Sequence, residues 1–140
     1  MSVCTLSFTA CATGPDLQLR VRHNGQVLFE TALDSALEFH TEFTDHDDHC
    51  LEIDMMGKLP DHTVVDDNGD IVSDRVIKLD NIALDGLELG QLFYDLAEYT
   101  HNFNGTQDSI TEKFYGVMGC NGTVKLNFSS PVYLWLLENM

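Results

Sequence analysis

The sequence predicts an all-β fold, an antiparallel β-sandwich of the jelly-roll type. Apolar and polar residues alternate in five stretches before residue 60, which is typical of strands with one buried face. Asn-Gly pairs at 24–25 and 68–69 provide the backbone freedom that tight hairpin turns require. Short strands separated by turns at regular intervals are typical of a two-sheet sandwich.

The first five strands follow directly from this alternation. In each of them the apolar side chains share one phase, so Leu17, Leu19 and Val21, for example, are predicted to face inward. With 140 residues, 44% of them hydrophobic, the chain is long enough to bury the core of one domain. The predicted strands cover residues 3–10, 17–22, 27–33, 37–43 and 51–55.

The stretch over residues 62–86 is predicted to be the central feature of the sandwich. It forms a hairpin around Asn68-Gly69 and returns as a long strand. Along that strand the phase of the apolar residues changes, which predicts a β-bulge at Asp80-Asn81. On this interpretation, deleting Asn81 is predicted to displace the second apolar set from the core. The two sets are Ile77 with Leu79, and Ile82 with Leu84.

Beyond residue 86 the pattern changes to mixed structure. Apolar residues at 89, 92, 93 and 96 follow a helical period and predict a short helix over 90–99. Residues 100–109 are predicted to be a loop. Residues 114–118 and 124–128 are predicted to be a hairpin that turns at Gly119-Cys120-Asn121-Gly122.

The C-terminal segment is strongly apolar and contains the single tryptophan. Residues 131–137 carry apolar side chains on both alternation phases, so a strand there would need cover on both faces. We therefore predict one domain, 1–140. Within it, residues 1–86 form the sandwich, and residues 87–140 form a C-terminal extension that packs on the sandwich or on a partner.

Charge and hydropathy exclude several classes of partner. The formal net charge is −16, from 23 acidic residues against 7 lysines and arginines. Such a field repels nucleic-acid phosphates and favours cations or a basic partner, although a solvated acidic surface is its more common cause. Nucleic acid is therefore not predicted as a partner. No apolar stretch is long enough to span a bilayer and no signal peptide is visible, so a membrane is not predicted as a partner either.

Two acidic loops contain residue types that bind metal ions. The loop Asp45-His46-Asp47-Asp48-His49 combines carboxylates that suit calcium with histidines that suit a transition metal, although such loops are more often solvated turns. Residues 66–70 resemble part of a calcium loop, but a hairpin turn explains the same residues. The four cysteines form no CxxC pair and are predicted to be reduced and buried. No G-x-S-x-G or H-E-x-x-H motif is present, and we predict that the protein is not an enzyme.

Three runs within residues 17–86 resemble a known family. They are LQLRVRHNGQVLFETAL, HCLEIDM and DRVIKLDNIALDG, and an acidic loop precedes the second. They are similar to the small carbohydrate-binding modules of the calcium-dependent, xylan-binding type. Those modules share a strand–Asn/Asp-Gly–strand opening and the closing pattern D-R-x-[LI]-x-[VL]-D-x-I-x-[VL]-D/N-G. The matching positions of the closing pattern are Asp74, Arg75, Ile77, Leu79, Asp80, Ile82, Leu84 and Gly86.

This resemblance implies a module-like β-sandwich, binding of a polysaccharide, and calcium as the only cofactor. In the family the acid before the arginine helps to ligate calcium, so the resemblance implies that Asp74 is a calcium ligand. The chain departs from the family by having a hairpin over 61–73 in place of a short acidic loop. Residues 17–86 contain no tryptophan or tyrosine, so a conventional aromatic platform for sugar is not predicted there.

Residues 87–140 resemble a different group, small uncharacterised proteins of large tailed phages of marine bacteria. The similar run is HNFNGTQDSITEKFYGVMGCNGTVKLNFSSPVYLWLLENM. This resemblance implies a non-catalytic structural or accessory protein of the virion, such as a decoration, capsid-associated or tail-associated protein. It would join other virion proteins or copies of itself through the C-terminal segment. The alternative is a calcium-dependent glycan-binding module that aids adsorption to the host surface.

Overall fold

A computed structural model describes residues 2–59 and 62–140 and confirms the antiparallel β-sandwich. Its helices are α1 (Gln91–Leu96) and α2 (Val132–Asn139), and a 3₁₀ turn spans Phe103–Gly105. Within the described residues no helix has the length and apolar character needed to cross a bilayer. The strands are β1 (Val3–Ala12), β2 (Leu17–His23), β3 (Gln26–Leu33), β4 (Ala36–Thr44), β5 (Asp48–Met56), β6 (Val64–Val65), β7 (Ile71–Ser73), β8 (Ile77–Leu84), β9 (Leu87–Glu88), β10 (Glu98–His101), β11 (Ile110–Lys113), β12 (Val117–Met118) and β13 (Gly122–Ser129).

Two main sheets enclose one hydrophobic core. Sheet A has the order β12-β8-β1-β4, with β9 paired to β8, and sheet B has the order β11-β10-β13-β5-β2-β3. In β1, β2, β5 and β8 the inward phase is buried as predicted, for example at Leu6 and Leu79 in sheet A and at Leu19 and Leu51 in sheet B. In the edge strands β3 and β4 the prediction is only partly correct, because Leu37 is 43% exposed and each of these strands buries one side chain, Leu33 and Phe43. Full burial of each such side chain contributes about 1.5–3 kcal/mol to stability.

The predicted β-bulge is confirmed. The pairing of β8 with β1 shifts by one residue between Ser7 and Thr9, and Asn81 has a left-handed backbone with φ 56°. Both apolar sets of β8 therefore face the core, and Ile82 and Leu84 are at most 2% exposed. The geometry of the bulge changes the expected effect of deleting Asn81, because Asn81 is itself the extra residue. Without it the two halves of β8 alternate in one phase.

The hairpin around Asn68-Gly69 is confirmed, but the long returning strand is not. Strands β6 and β7 pair as a separate two-stranded sheet, and three residues lie between the end of β7 and the start of β8. Within the turn, Asp66 Oδ1 accepts hydrogen bonds from the backbone N–H groups of Asn68 and Asp70. This carboxylate therefore acts as a turn-forming group, as the hairpin interpretation of residues 66–70 expects.

The predicted hairpin over 114–128 is wrong. Strand β12 pairs with β8 in sheet A, whereas β13 lies between β10 and β5 in sheet B, so the turn at 119–121 crosses from one sheet to the other. The helix over 90–99 exists but ends at Leu96, because β10 begins at Glu98 and pairs with β13. Local turn signals do not specify which strand a segment pairs with. Here pairing with the distant strands β8 and β5 determines the sheet to which β12 and β13 belong.

The C-terminal segment is a helix and not a strand. Val132 and Trp135 lie three residues apart on the buried side of α2, while Tyr133, Leu134 and Leu137 are exposed. A period of 3.6 residues explains why apolar residues occupy both alternation phases. Residues 87–140 are also more than an extension, since they supply β12 to sheet A and β10, β11 and β13 to sheet B.

Candidate functional site

A cavity of about 760 Å³ opens at one end of the sandwich. Its walls come from the residue before β1, the β4–β5 loop, the β8–β9 turn and the Ser130–Tyr133 segment that begins α2. The register brings these segments together, because the start of β1 lies beside the ends of β4 and β8, and the start of β5 beside the end of β13. We call this cavity the end groove. Its volume is in the range of small-molecule sites, roughly 300–1,000 Å³.

The end groove is lined by acidic groups and an exposed tyrosine ring. Asp45, Asp47 and Asp85 contribute carboxylates, and Tyr133 is 57% exposed. Tyr133 belongs to the first turn of α2, which the buried Trp135 holds against the core. The groove therefore offers hydrogen-bond acceptors together with the face of an aromatic ring.

Four polar side chains meet at the floor of the end groove, and we call them the floor cluster: Cys4, Asp45, His49 and Ser130. Asp45 Oδ1 lies 3.2 Å from Cys4 Sγ and 3.2 Å from His49 Nε2. Ser130 Oγ donates to the same carboxylate oxygen at 2.5 Å and lies 2.8 Å from His49 Nε2. Asp45 and Ser130 also line the groove, whereas Cys4 and His49 are buried.

His49 is held rigidly by aromatic neighbours. Its ring stacks on Phe128 with centroids 4.4 Å apart and an interplanar angle of 5°, and Phe43 meets it edge-on at 5.6 Å. Its second nitrogen, Nδ1, lies 2.8 Å from His23 Nε2. Packing and hydrogen bonding together orient the imidazole so that Nε2 points into the floor cluster.

Burial and hydrogen bonding shift the protonation of the groups around the floor. Burial raises the pKa of the Cys4 thiol to about 12, and its hydrogen bond to Asp45 adds to this effect. Hydrogen bonds from Ser130 and Cys4 lower the pKa of Asp45 below its usual value. Burial lowers the pKa of His23 to about 4, with further contributions from His49 and His46. At neutral pH the floor cluster therefore holds a protonated Cys4 thiol and an Asp45 carboxylate, and His23, which lies behind His49, is neutral.

In the floor cluster the Ser130 hydroxyl lies 2.8 Å from the His49 imidazole, which is a distance typical of a catalytic nucleophile and its general base. The single proton of the Ser130 hydroxyl, however, is donated to Asp45 at 2.5 Å. His49 Nε2 then donates to the Ser130 oxygen instead of accepting from it. The backbone N–H of Ser130 is also engaged, by Asp47 O at 3.0 Å. This arrangement favours a hydrogen-bonded or metal-binding cluster over nucleophilic catalysis.

Two solved structures share the fold of this chain over most of its length. One is vCBM60 in complex with galactobiose, with a TM-score of 0.59, 12% identity, and coverage of 88% of this chain and 98% of that chain. The other is a selenomethionine form of vCBM60, with a TM-score of 0.58, 10% identity and coverage of 88% and 89%. The description of this second structure states that circular permutation links two families of calcium-dependent carbohydrate-binding modules. The chain has a carbohydrate-binding-module fold.

The module fold confirms the likeness that the sequence suggested for residues 17–86 and extends it to most of the chain. No family model and no curated protein matches the sequence. The resemblance of residues 87–140 to phage proteins is not shown by these comparisons. The description of one neighbour names carbohydrate-binding modules, and the absence of enzymatic activity in this chain stays a prediction.

The residue predicted to ligate calcium, Asp74, lies away from the end groove. Its Oδ1 atom is 2.6 Å from Lys58 Nζ and accepts from Thr63 Oγ1 at 2.6 Å and from the Arg75 backbone N–H at 2.8 Å. Burial alone would raise the pKa of Asp74, but the hydrogen bonds from Lys58 and Thr63 lower it overall. An ammonium group therefore lies at the carboxylate oxygen where a cation would bind.

The donor groups of the floor cluster suit calcium poorly. Calcium takes six to eight oxygen ligands. Among residues 2–59 and 62–140, one set of three acidic, histidine or cysteine side chains has its ligand atoms within 4.8 Å of one another, namely Cys4, Asp45 and His49. Only one of these three is an oxygen donor. Of the predicted metal loop 45–49, the structure thus brings Asp45 and His49 together and leaves His46 outside the set.

Several site residues were not predicted from the sequence. Cys4 and Ser130 reach the floor cluster from positions 41 and 85 residues away from Asp45. Tyr133 provides a tyrosine ring, and residues 17–86 contain neither tyrosine nor tryptophan. The acidic loop 45–49 was the one local signal of the site, because the other contributions depend on pairing between distant strands.

Proposed function

We propose that this protein is a non-catalytic glycan-binding module and that the end groove is its sugar-binding site. The observation that carries the proposal is that one groove combines three carboxylates with the exposed ring of Tyr133. The module fold supports the same function but does not decide it, since one fold hosts many functions.

The chemistry of the end groove is suited to a sugar. A pyranose presents hydroxyl groups around its rim and C–H groups on its faces. Carboxylates such as Asp47 and Asp85 accept strong, charge-assisted hydrogen bonds from hydroxyls. A tyrosine ring supplies a large contact area at a low cost in side-chain entropy. The two kinds of group are thus available to bind the two kinds of sugar surface.

A glycan array followed by affinity measurements tests this proposal. Tyr133→Ala should weaken binding of the best array ligand about tenfold, since an aromatic contact contributes roughly 1.4 kcal/mol. Tyr115→Ala is the matched control, because Tyr115 is 78% exposed and lies outside the end groove. Absence of any glycan ligand, or equal losses in the two variants, would refute the proposal.

Calcium dependence is tested separately by repeating the array with a chelator. If Asp74 holds calcium, saturating calcium should raise the melting temperature and Asp74→Ala should abolish the increase. Magnesium is the control, because a chain with a net charge of −16 gains stability from any divalent ion that relieves self-repulsion. Equal stabilisation by both ions in both proteins would leave the Lys58 ion pair as the role of Asp74.

Assembly into a virion is the second candidate function, and it is compatible with glycan binding. One observation favours it: Leu134, Leu137 and Met140 of the C-terminal segment are 45%, 65% and 84% exposed, and exposed apolar residues suit packing against other subunits. The location in a virion stays a prediction from the sequence. Proteomics of purified phage particles tests it, and particles that lack the protein would contradict it.

A further inference from the structure

We propose that the floor cluster is a binding site for a divalent transition-metal ion, with Cys4, Asp45 and His49 as its protein ligands. The three ligand atoms lie within 4.8 Å of one another. The site is distinct from any calcium site at Asp74. It also does not depend on glycan binding, so the two proposals can fail independently.

Two of the three distances between the ligand atoms of the floor cluster suit a tetrahedral ion. With bonds of about 2.0–2.3 Å, neighbouring ligands of tetrahedral zinc lie roughly 3.3–3.6 Å apart. Asp45 Oδ1 lies 3.2 Å from both Cys4 Sγ and His49 Nε2. Cys4 Sγ and His49 Nε2 lie within 4.8 Å of each other. To admit the ion, these side chains would draw together and Ser130 Oγ, which lies 2.8 Å from His49 Nε2, would rotate away, while the strands keep their pairing.

The donor types select a transition metal over calcium or magnesium. A thiolate, an imidazole and a carboxylate match the ligands of zinc and of neighbouring first-row ions, whereas calcium and magnesium take oxygen ligands. On binding, the Cys4 thiol gives its proton to solvent and its sulfur forms the metal bond. The two negative charges, one on the Asp45 carboxylate and one on the Cys4 thiolate, then balance the charge of a divalent cation.

The surroundings of the ligands have the features of a built metal site. A metal-bound histidine usually donates its other ring N–H to a fixed acceptor, and His49 Nδ1 lies 2.8 Å from His23 Nε2. Ser130 Oγ is hydrogen-bonded to the Asp45 carboxylate and orients it. Cys4 and His49 belong to two strands of different sheets, β1 and β5, so the rigid sandwich fixes their separation.

The fourth position of a tetrahedral ion would face the end groove. Asp45 and Ser130 line this groove, whereas Cys4 and His49 approach from the buried side. Three protein ligands with one open position are typical of sites where a zinc-bound water or a ligand oxygen completes the coordination. The ion would thus present its exchangeable position to whatever occupies the groove.

Cobalt titration of the chelator-treated 140-residue chain tests the site. One equivalent of Co²⁺ alone should give thiolate-to-cobalt charge-transfer absorption and the intense visible bands of tetrahedral cobalt, and Zn²⁺ should remove both. Cys4→Ser should abolish the charge-transfer band. Cys50→Ser is the matched control and should retain it, since Cys50 is a half-buried thiol on β5 next to His49 but outside the cluster.

A second pair of variants keeps the test decisive if Cys4→Ser does not fold. Asp45→Asn should weaken cobalt binding by about tenfold or more, whereas Asp47→Asn, with the same change in charge in the same loop, should leave it unchanged. Far-UV circular dichroism confirms folding of each variant. Cobalt binding without a charge-transfer band, a band that survives Cys4→Ser, or equal losses in the two aspartate variants would overturn the proposal.

Discussion

Removing the Trp135 side chain should destabilise the protein strongly, although Trp135 lies close to the C-terminus. It is 7% exposed, and its ring meets the Phe128 ring edge-on with centroids 5.9 Å apart and an angle of 63°. Truncation of a buried tryptophan to alanine costs about 3–5 kcal/mol. At roughly 0.05–0.15 kcal/mol per residue, the whole chain is stable by about 7–21 kcal/mol. Trp135→Ala should therefore remove a large share of the free energy of unfolding.

Leu137→Ala is the matched control on the same helix. Leu137 is 65% exposed, so its truncation should change the free energy of unfolding by no more than about 0.5 kcal/mol. Urea denaturation followed by far-UV circular dichroism compares the variants, because Trp135→Ala removes the single tryptophan that fluorescence would use. Similar small losses in both variants would refute the packing of α2 on the core.

Two further predictions concern the sandwich itself. Deleting Asn81 should lower the free energy of unfolding by less than about 1.5 kcal/mol, because the two halves of β8 then join in one phase. A loss of about 3–6 kcal/mol, which corresponds to two buried aliphatic side chains, would contradict the bulge. Asp54→Asn should lower stability by about 1–3 kcal/mol at neutral pH, because it weakens the contacts of a 2% exposed carboxylate with two partly exposed arginines. Burial raises the pKa of Asp54, but hydrogen bonds from Arg22, Thr123 and Arg20 lower it overall. The stabilisation by Asp54 is therefore fully present above the pKa of about 3.9 that an aspartate has in the unfolded chain. It is lost as the pH falls from there through the lower pKa of the folded state. Urea midpoints between neutral pH and pH ~2 should show the gap between wild type and Asp54→Asn closing in acid; a constant gap would contradict the pKa assignment.

Sheet formation was predictable because alternation is local information. The alternation in β2 and β5 marks their buried faces without reference to any other strand. The phase change in β8 also marks its bulge within a few residues of sequence. By contrast, β12 and β13 follow each other closely yet join different sheets, since β8 and β5 are their partners. Pairing between distant strands does not appear in a local pattern.

The candidate site was predicted only in part for the same reason. Asp45 and His49 stand in one loop and could be noticed together. Cys4 has the sequence pattern of an ordinary inward residue of β1, and only the pairing of β1 with β4 brings it beside Asp45. Ser130 and Tyr133 reach the groove because β13 pairs with β5 and a helix follows it. We predicted a strand for this segment because we compared its apolar residues with a period of two, whereas the helix has a period of 3.6.

The central claim is that the end groove binds a glycan, and mapping of backbone amide shifts by NMR tests it most directly. The probe is the best ligand from the array, titrated into uniformly labelled protein. We expect the largest shifts at residues 45–47, at Asp85 and at residues 132–133, which border the groove. The β6–β7 hairpin (residues 64–73), which lies outside the groove, should be unaffected. Shifts concentrated on any other surface would contradict the assignment of the end groove as the sugar site.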